Sequence, residues 1–334
     1  MVSRDLLAAA VLTSLSILPR AALAQEPPVE ASRQSLSDAW WTGPLLAASA
    51  STLPKGHVLI EPYLFDVTAR GHFDAEGNRQ TSDSREHTVG SLTYMLYGVT
   101  DRVTAGMIPQ FAFRHGTGAS SSGIGVGDLQ LQAQYRLTLF QEGRPVPTLS
   151  IVVGETLPTG KYDRLGDRPN DGIGSGTYTT TVSLYSQYFF WMPNGRILRT
   201  RLDLSQSFSD SAELEDVSVY GTTQGFRGRA EPGNAFVANA AFEYSATRNW
   251  VLALDLVYSR SASTRVFGVY PASGGMPGVE VDAESGSSHI IYVAPAVEYN
   301  FTANVGIIVG ARLTPWGRNA TASFTPVAAI NLVF

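Results

Sequence analysis

The chain of 334 residues contains no cysteine, and beyond residue 24 it has no run of 18 apolar residues. Without cysteine there are no disulfide bonds, so an extended hydrogen-bonded framework must stabilise the fold. Without such a run, a helical membrane protein is excluded. Basic residues do not dominate either, because 24 Lys and Arg oppose 29 Asp and Glu, for a formal net charge of −5. Nucleic-acid binding needs a concentrated basic surface, so the sequence predicts no nucleic-acid partner.

Motifs of common hydrolases and metal sites are also absent. The sequence contains neither Gly-x-Ser-x-Gly nor His-Glu-x-x-His, which argues against an enzyme. Asp163, Asp167 and Asp171 lack the one-three-five spacing of a calcium loop, so the sequence predicts no metal and no cofactor. An outer-membrane hydrolase stays open as the least favoured alternative, because Ser120–Ser122 and four histidines fall near predicted outer strand ends: His72, His87, His115 and His289.

The first 24 residues have the pattern of a cleavable secretory signal. Arg4 supplies a positive start, an apolar run extends from Leu6 to Leu18, and Ala22-Leu23-Ala24 matches the small-x-small site of signal peptidase. The run is too short to span a bilayer as a helix. The sequence therefore predicts export, with residues 1–24 as the signal peptide.

Alternation of polar and apolar residues with a period of two predicts twelve strands, most of them ten or more residues long. A tilted membrane strand needs that length, whereas soluble strands average about five or six residues. The predicted strands lie at residues 57–69, 86–98, 102–115, 127–140, 147–158, 177–191, 197–208, 234–246, 249–263, 288–301, 304–314 and 323–334.

Short and long connections between these strands alternate. Short turns separate the second strand from the third, the fourth from the fifth, and so on along the chain. Longer polar loops are predicted at residues 70–85, 116–126, 159–176, 209–233 and 264–287, with a shorter one at residues 315–322. Brief periplasmic turns and extended outer loops give this alternation in an up-and-down barrel. The predicted fold is therefore all-β, a transmembrane up-and-down antiparallel β-barrel of about 12 strands after a cleaved signal peptide.

Polar and apolar residues fall on opposite faces most clearly in three predicted strands, at residues 128–137, 198–208 and 304–313, whereas the strand at 147–158 stays ambiguous. In residues 128–137, Asp128 and Arg136 share one face while Leu129 and Leu137 share the other. A charge that faces lipid at mid-membrane would cost about 2–4 kcal/mol, so the charged faces are predicted to point into the lumen. Cross-strand pairing that only locks the barrel is the alternative role for each such charge. The predicted lumen-lining residues are Arg114, Asp128, Arg136, Arg199, Arg201, Asp203, Glu243, Asp255, Glu298 and Arg312.

The last strand carries one continuous apolar face and ends on an aromatic residue. That face is formed by Phe324, Pro326, Ala328, Ile330, Leu332 and Phe334. The pattern resembles the closing strand of a Gram-negative outer-membrane barrel. Phe334 is accordingly expected to be the assembly signal that the barrel-assembly machinery reads.

Residues 25–53, between the signal and the barrel of residues 54–334, are predicted to be a periplasmic tail or a plug segment. The pair Trp40-Trp41 is expected at the inner membrane interface, where tryptophan is enriched. Folding of this pair into the lumen is the alternative.

Several short motifs resemble one family of outer-membrane barrels, the transporters of the MetA-pathway phenol-degradation type. The motifs are Tyr97-Gly98-Val99-Thr100-Asp101-Arg102-Val103, Gly127-Asp128-Leu129 with Tyr135-Arg136-Leu137, Leu157-Pro158-Thr159-Gly160, Pro54-Lys55-Gly56-His57 and Glu61-Pro62-Tyr63. This resemblance implies an outer-membrane barrel that passes small compounds, aromatic ones among them.

The sequence therefore predicts a protein of a Gram-negative outer membrane, in contact with outer-membrane lipid, that acts as a passive channel for a small-molecule solute. A non-conducting structural or adhesive barrel with partner-binding outer loops is the alternative. Because the ten predicted lumenal charges are five arginines and five carboxylates, no strong ion preference is expected.

Overall fold

The computed structural model describes residues 32–81, 86–116, 119–272 and 277–334. The predicted signal peptide of residues 1–24 and the start of the following segment, residues 25–31, lie outside the described residues. Both helical segments described, Leu36–Asp38 and Pro169–Asp171, are single 3-10 turns. No helix in the described parts of the chain is long and apolar enough to cross a membrane.

The described residues form twenty β-strands. In chain order they are β1 (Val58–Phe73), β2 (Arg79–Thr81), β3 (His87–Thr100), β4 (Val103–Ile108), β5 (Gln110–Gly116), β6 (Ala119–Ser120), β7 (Gly125–Val126), β8 (Leu129–Thr138), β9 (Thr148–Leu157), β10 (Thr179–Trp191), β11 (Ile197–Ser209), β12 (Ala212–Glu215), β13 (Arg227–Glu231), β14 (Ala235–Ser245), β15 (Trp250–Ser261), β16 (Arg265–Tyr270), β17 (Val279–Glu284), β18 (Ser288–Asn300), β19 (Val305–Arg318) and β20 (Ala320–Val333).

Twelve long segments close into one antiparallel barrel, in which β4 and β5 together make a single segment. The order around the barrel is β1, β3, β4 with β5, β8, β9, β10, β11, β14, β15, β18, β19 and β20. Strand β1 pairs with β3 on one side and with β20 on the other. The ring therefore has no free edge, which is the condition for crossing a bilayer with strands.

All twelve predicted strands are confirmed. The third segment is interrupted at Pro109, since proline has no N–H to donate to a ladder. The predicted loop at residues 315–322 is wrong, because β19 and β20 run to Arg318 and from Ala320. Only Asn319 separates them, with a φ of 46°, a left-handed conformation that asparagine tolerates better than most residues.

The outward face of the barrel is apolar and the inward face is polar, as the alternation predicts. On β11 the outward residues Leu202 and Phe208 are 47% and 49% exposed, whereas Arg199, Arg201 and Asp203 on the opposite face are buried. The last strand follows the same rule, with Ile330 exposed and Asn331 buried. An exposed apolar belt of this kind is the surface that a membrane-spanning barrel presents to lipid.

Two of the long loops form a second, smaller sheet outside the barrel. Its four strands are ordered β12, β13, β16 and β17, so the loop after β11 pairs with the loop after β15. The buried side chains of Leu214 and Phe226 form a small apolar cluster with Ala212 and Ala230. The long-loop end is thus built from ordered secondary structure, whereas the sequence predicts only loops there.

Candidate functional site

The candidate site is the lumen, which contains a compact cluster of buried charges on four neighbouring strands. Strand β11 contributes Arg199, Arg201 and Asp203, and strands β14, β15 and β18 each contribute one carboxylate. All six side chains of the cluster are buried, and the three carboxylates are Glu243, Asp255 and Glu298. The structure therefore brings together six of the ten predicted lumen-lining residues.

Glu243 is the partner of both buried arginines. Its carboxylate accepts a hydrogen bond from Arg199 Nε at 2.7 Å and from Arg201 Nε at 3.0 Å, and it also pairs with Arg199 Nη2. Glu243 itself is completely buried. A carboxylate between two guanidinium groups gives charge-assisted hydrogen bonds that hold strands β11 and β14 together.

The other three carboxylates bind the backbone of the N-terminal segment, which lies inside the barrel. Asp203 accepts a hydrogen bond from Ala48 N at 2.7 Å, and Asp255 accepts one from Ala47 N at 2.9 Å. Glu298 accepts two, from the N–H groups of Thr42 and Gly43, at 2.8 and 3.1 Å. Because a backbone N–H buried away from water needs a partner, these carboxylates make the lumen a suitable place for an extended chain.

The backbone C=O groups of the same segment also accept hydrogen bonds from inward side chains. Arg201 Nη1 donates to Ala47 O at 3.0 Å, Gln134 Nε2 donates to Ser49 O at 2.9 Å, and Ser150 Oγ donates to Ala50 O at 2.5 Å. Residues 42–50 are therefore bound by inward side chains from both sides of the lumen. Gly43 fits this course because its φ of 126° is in the region that favours glycine.

Trp41 lies inside the barrel and not at the membrane interface, so the expected interfacial position is wrong for this residue. The Arg199 guanidinium lies 4.4 Å from the centre of its ring, and Phe189 packs against it with ring centres 6.2 Å apart. A cation over an indole ring is a favourable contact. Trp41 is therefore part of the packing between the N-terminal segment and the charged cluster.

Each of the three carboxylates that bind the segment has one buried oxygen without a hydrogen-bond partner among the described residues. These atoms are Asp203 Oδ1, Asp255 Oδ2 and Glu298 Oε1. A further inward carboxylate, Glu61, accepts a hydrogen bond from Asn331 Nδ2 at 3.3 Å. The sequence pattern does not identify Glu61, because its neighbours on that face of β1, Leu59, Tyr63 and Phe65, make the face look lipid-exposed.

Two cavities lie against the N-terminal segment. The inner cavity, about 240 Å³, extends toward the short-turn end and is lined by residues that include Leu53, Leu96 and Ala303. The outer cavity, about 210 Å³, extends toward the long-loop end. Its lining consists of Leu45, Leu46, Tyr63, Phe65, Leu92, Tyr94, Arg312, Thr325 and Val327. Leu45, Leu46, Tyr63 and Tyr94 line both cavities, so these four side chains form the boundary between them.

The remaining four predicted lumen residues lie outside the charged cluster. Arg312 lines the outer cavity, and its guanidinium lies 4.9 Å from the ring centre of Tyr292. Arg136 is on the inward face of β8, opposite the buried Ser150 on β9. Arg114 Nη1 donates to the carbonyl of Gly172 at 2.7 Å, which ties β5 to the loop after β9.

Asp128, the fourth of these residues, binds the loop between β9 and β10. Its carboxylate accepts hydrogen bonds from Gly160 N at 2.9 Å and from the backbone N and Oγ of Ser175 at 2.8 and 2.6 Å. The carbonyl of Ser175 in turn accepts a 2.6 Å hydrogen bond from Tyr220 Oη. Burial raises the pKa of Tyr220 to about 12, so the phenol remains a donor at physiological pH.

The histidines near the long-loop end contact one another and a carboxylate. His87 Nδ1 lies 3.1 Å from Asp66 Oδ2, and the rings of His87 and His115 stack with centres 5.0 Å apart. Tyr258 and His289 share a 2.8 Å hydrogen bond. Among the side-chain hydrogen bonds of the described residues, none joins a serine hydroxyl to a histidine. The geometry therefore offers no serine–histidine pair for nucleophilic catalysis within the described chain.

Comparisons with known proteins agree with the barrel. The family model described as "Putative MetA-pathway of phenol degradation" matches residues 60–325. The solved COG4313 outer membrane channel from Pseudomonas putida F1 is 19% identical, with a TM-score of 0.62 over 86% of this chain and 98% of that chain. The toluene transporter TbuX from Ralstonia pickettii is 11% identical, with a TM-score of 0.35 over 92% and 98%. No curated protein matches the chain. At these identities the first structure establishes the fold alone, that of an outer-membrane β-barrel.

Proposed function

Because the chain belongs to the MetA-pathway phenol-degradation family, we propose that it is a passive outer-membrane channel for small, largely apolar molecules. The observation that carries this proposal is the pair of cavities in the lumen, which share Leu45, Leu46, Tyr63 and Tyr94 as lining residues. An apolar solute passes these two aliphatic and two aromatic side chains at a lower free-energy cost than an ion does. The solved channel of similar fold supports the same class of function.

The N-terminal segment is proposed to be the plug of this channel. Residues 42–50 occupy the lumen and hydrogen-bond to inward side chains through both N–H and C=O groups. These hydrogen bonds are made by backbone groups of the segment, so water can replace each of them when the segment moves. The side chain of Leu45 is also buried in the main apolar cluster of the barrel, so this apolar contact has to break as well.

Solute entry into liposomes tests the channel proposal. Vesicles that contain the purified full-length protein are expected to take up small neutral solutes faster than empty vesicles, with a cutoff near the size of a single aromatic ring. Vesicles with a heat-denatured sample provide the control. Equal uptake with and without folded protein would contradict the proposal.

A non-conducting structural barrel is the second candidate, and one observation favours it. The loop after β11 and the loop after β15 combine into a four-stranded sheet with its own buried cluster, which is a stable surface for a partner. A barrel that is folded but impermeable to every solute tested would support this candidate over the channel.

Export and assembly complete the proposal. Residues 1–24 act as a cleaved signal peptide, and Phe334 acts as the assembly signal. Phe334 is 67% exposed and pairs its backbone with Val58, where β20 meets β1. A mature N-terminus at Gln25 and reduced membrane assembly after Phe334→Ala are the expected results. A mature protein that begins at Met1, or full assembly of the variant, would refute the respective part.

A further inference from the structure

We infer that the outer cavity is a binding site for a monocyclic aromatic carboxylate, with Arg312 and Thr325 as the residues that hold the carboxylate. This inference rests on the proposed function, because the ligand would be a solute in transit through the lumen. It adds the chemical class of the solute and the position at which the solute pauses.

Arg312 and Thr325 are adjacent residues on neighbouring strands and line the same cavity. They are direct cross-strand partners in the pairing of β19 with β20. Both line the outer cavity. The pairing places one guanidinium and one hydroxyl side by side on the cavity wall, close enough for two oxygens of one ligand group.

Both side chains carry a buried polar atom that lacks a partner. Arg312 Nε and Thr325 Oγ1 make no hydrogen bond to any of the described residues, and no carboxylate in these parts of the chain forms an ion pair with Arg312. A buried donor left unsatisfied costs free energy that a bound acceptor recovers. An anionic acceptor suits a guanidinium best, since charge-assisted hydrogen bonds are the stronger ones.

The neighbouring inward pair shows that this arrangement is particular to Arg312 and Thr325. Thr314 and Ser323, the next inward pair on the same two strands, satisfy each other with a hydrogen bond of 3.1 Å. Two inward polar side chains on these neighbouring strands can therefore hydrogen-bond to each other. The Arg312 guanidinium also lies over the Tyr292 ring, which holds it in place for a ligand.

The rest of the cavity fits one aromatic ring. Tyr63, Phe65 and Tyr94 provide aromatic surface, and Leu92 and Val327 provide aliphatic surface. The volume of about 210 Å³ exceeds the roughly 150 Å³ of an engineered apolar cavity that binds benzene, which leaves room for one substituent. Arg312 supplies a single positive charge, which matches a monoanionic carboxylate and would leave a dianion half neutralised in apolar surroundings.

Calorimetric titration of the purified full-length protein with benzoate tests the inference. Saturable binding is expected in the wild type, and Arg312→Gln is expected to weaken it at least about tenfold because the charge-assisted contact is lost. Thr325→Val keeps the shape and is expected to weaken binding about threefold to tenfold. Thr314→Val, on the same face, is the matched control and should bind as the wild type does.

Titration with toluene, which has the aromatic ring but no carboxylate, separates the contribution of the ring to binding from that of the carboxylate. The wild type is expected to prefer benzoate over toluene, and Arg312→Gln is expected to abolish the preference while toluene binding stays unchanged. Heat-modifiable migration on a gel checks that each variant is folded. Absence of benzoate binding, or equal benzoate affinity in the wild type, Arg312→Gln and Thr325→Val, would overturn the inference.

The channel proposal and the inferred binding site can fail independently of each other. Benzoate binding by a barrel that takes up no solute would leave the site in place and remove the channel. Solute uptake by a barrel that does not bind benzoate would leave the channel in place and remove the site.

Discussion

The carboxylate of Asp203 on β11 accepts a 2.7 Å hydrogen bond from the backbone N–H of Ala48 in the N-terminal segment. This contact joins the barrel wall to a part of the chain that precedes the barrel in sequence. Asp255 makes the equivalent contact with Ala47 from β15. The position of the segment in the lumen is therefore set in part by side chains of strands more than 150 residues further along the chain.

Removal of the Asp203 carboxylate is expected to increase permeability. Asp203→Ala removes the hydrogen-bond partner of the partly buried N–H of Ala48, so the segment is held less firmly in the lumen. Liposome uptake of a small neutral solute should be faster than in the wild type. Asp210→Ala, at an exposed position just after the same strand, is the control. Equal rates for both variants would show that this contact does not limit passage.

The ion pairs of Glu243 are expected to dominate the stability of the charged cluster. Glu243→Gln removes the carboxylate that forms the salt bridges with the buried Arg199 and Arg201, and such a loss typically costs about 3–5 kcal/mol. Urea titration of the folded barrel in detergent measures the effect. Glu213→Gln on β12 breaks the exposed pair with Arg229 and should change stability by at most about 1 kcal/mol. Similar changes in the two variants would contradict a special role for the buried cluster.

Adjacent positions on one strand should differ in how strongly a new charge lowers the stability of the barrel. Ala133 is exposed on the outward face of β8, and Gln132 lines the inner cavity. Ala133→Arg is expected to lower the stability in lipid vesicles by about 2–4 kcal/mol, because it places a charge toward the bilayer. Gln132→Arg is expected to change it much less, since water reaches the lumen. The reverse order would invalidate the assignment of the two faces.

The contact between Ser122 and Asp171 is expected to depend on pH. Hydrogen bonds from Ser122 N at 2.7 Å and Ser122 Oγ at 2.9 Å lower the pKa of Asp171 below its usual value of 3.8. The stabilisation is therefore complete above pH 3.8 and is lost as the pH falls through the lower value of the folded protein. Hydrogen-exchange protection of the Ser122 amide, corrected for the intrinsic rate, should be constant down to pH 4 and then fall. Protection in Asp171→Asn that equals the wild type at pH 7 would disprove the contribution of the carboxylate.

The strands and their two faces could be predicted from the sequence because lipid and water impose opposite polarities on successive residues. Arg199, Arg201 and Asp203 alternate with Leu198, Thr200 and Leu202, and the barrel follows that alternation. Such a signal needs only local sequence. It identifies six members of the charged cluster without any knowledge of their partners.

The contents of the lumen could not be predicted in the same way. Residues 42–50 are held mainly through backbone groups, and backbone contacts leave no pattern of residue types. Glu61 is concealed among apolar neighbours that face the segment and not the lipid. Pairing between the loop after β11 and the loop after β15 could not be predicted from the sequence either, because each loop contributes short strands that pair with a loop far away in sequence.

Single-channel recording in a planar lipid bilayer tests the central claim most directly. The full-length protein is expected to give discrete conductance steps, and Asp203→Ala is expected to give larger or more frequent ones. A folded barrel that inserts into the bilayer and stays silent at every voltage, in both the wild type and Asp203→Ala, would contradict a channel through this lumen.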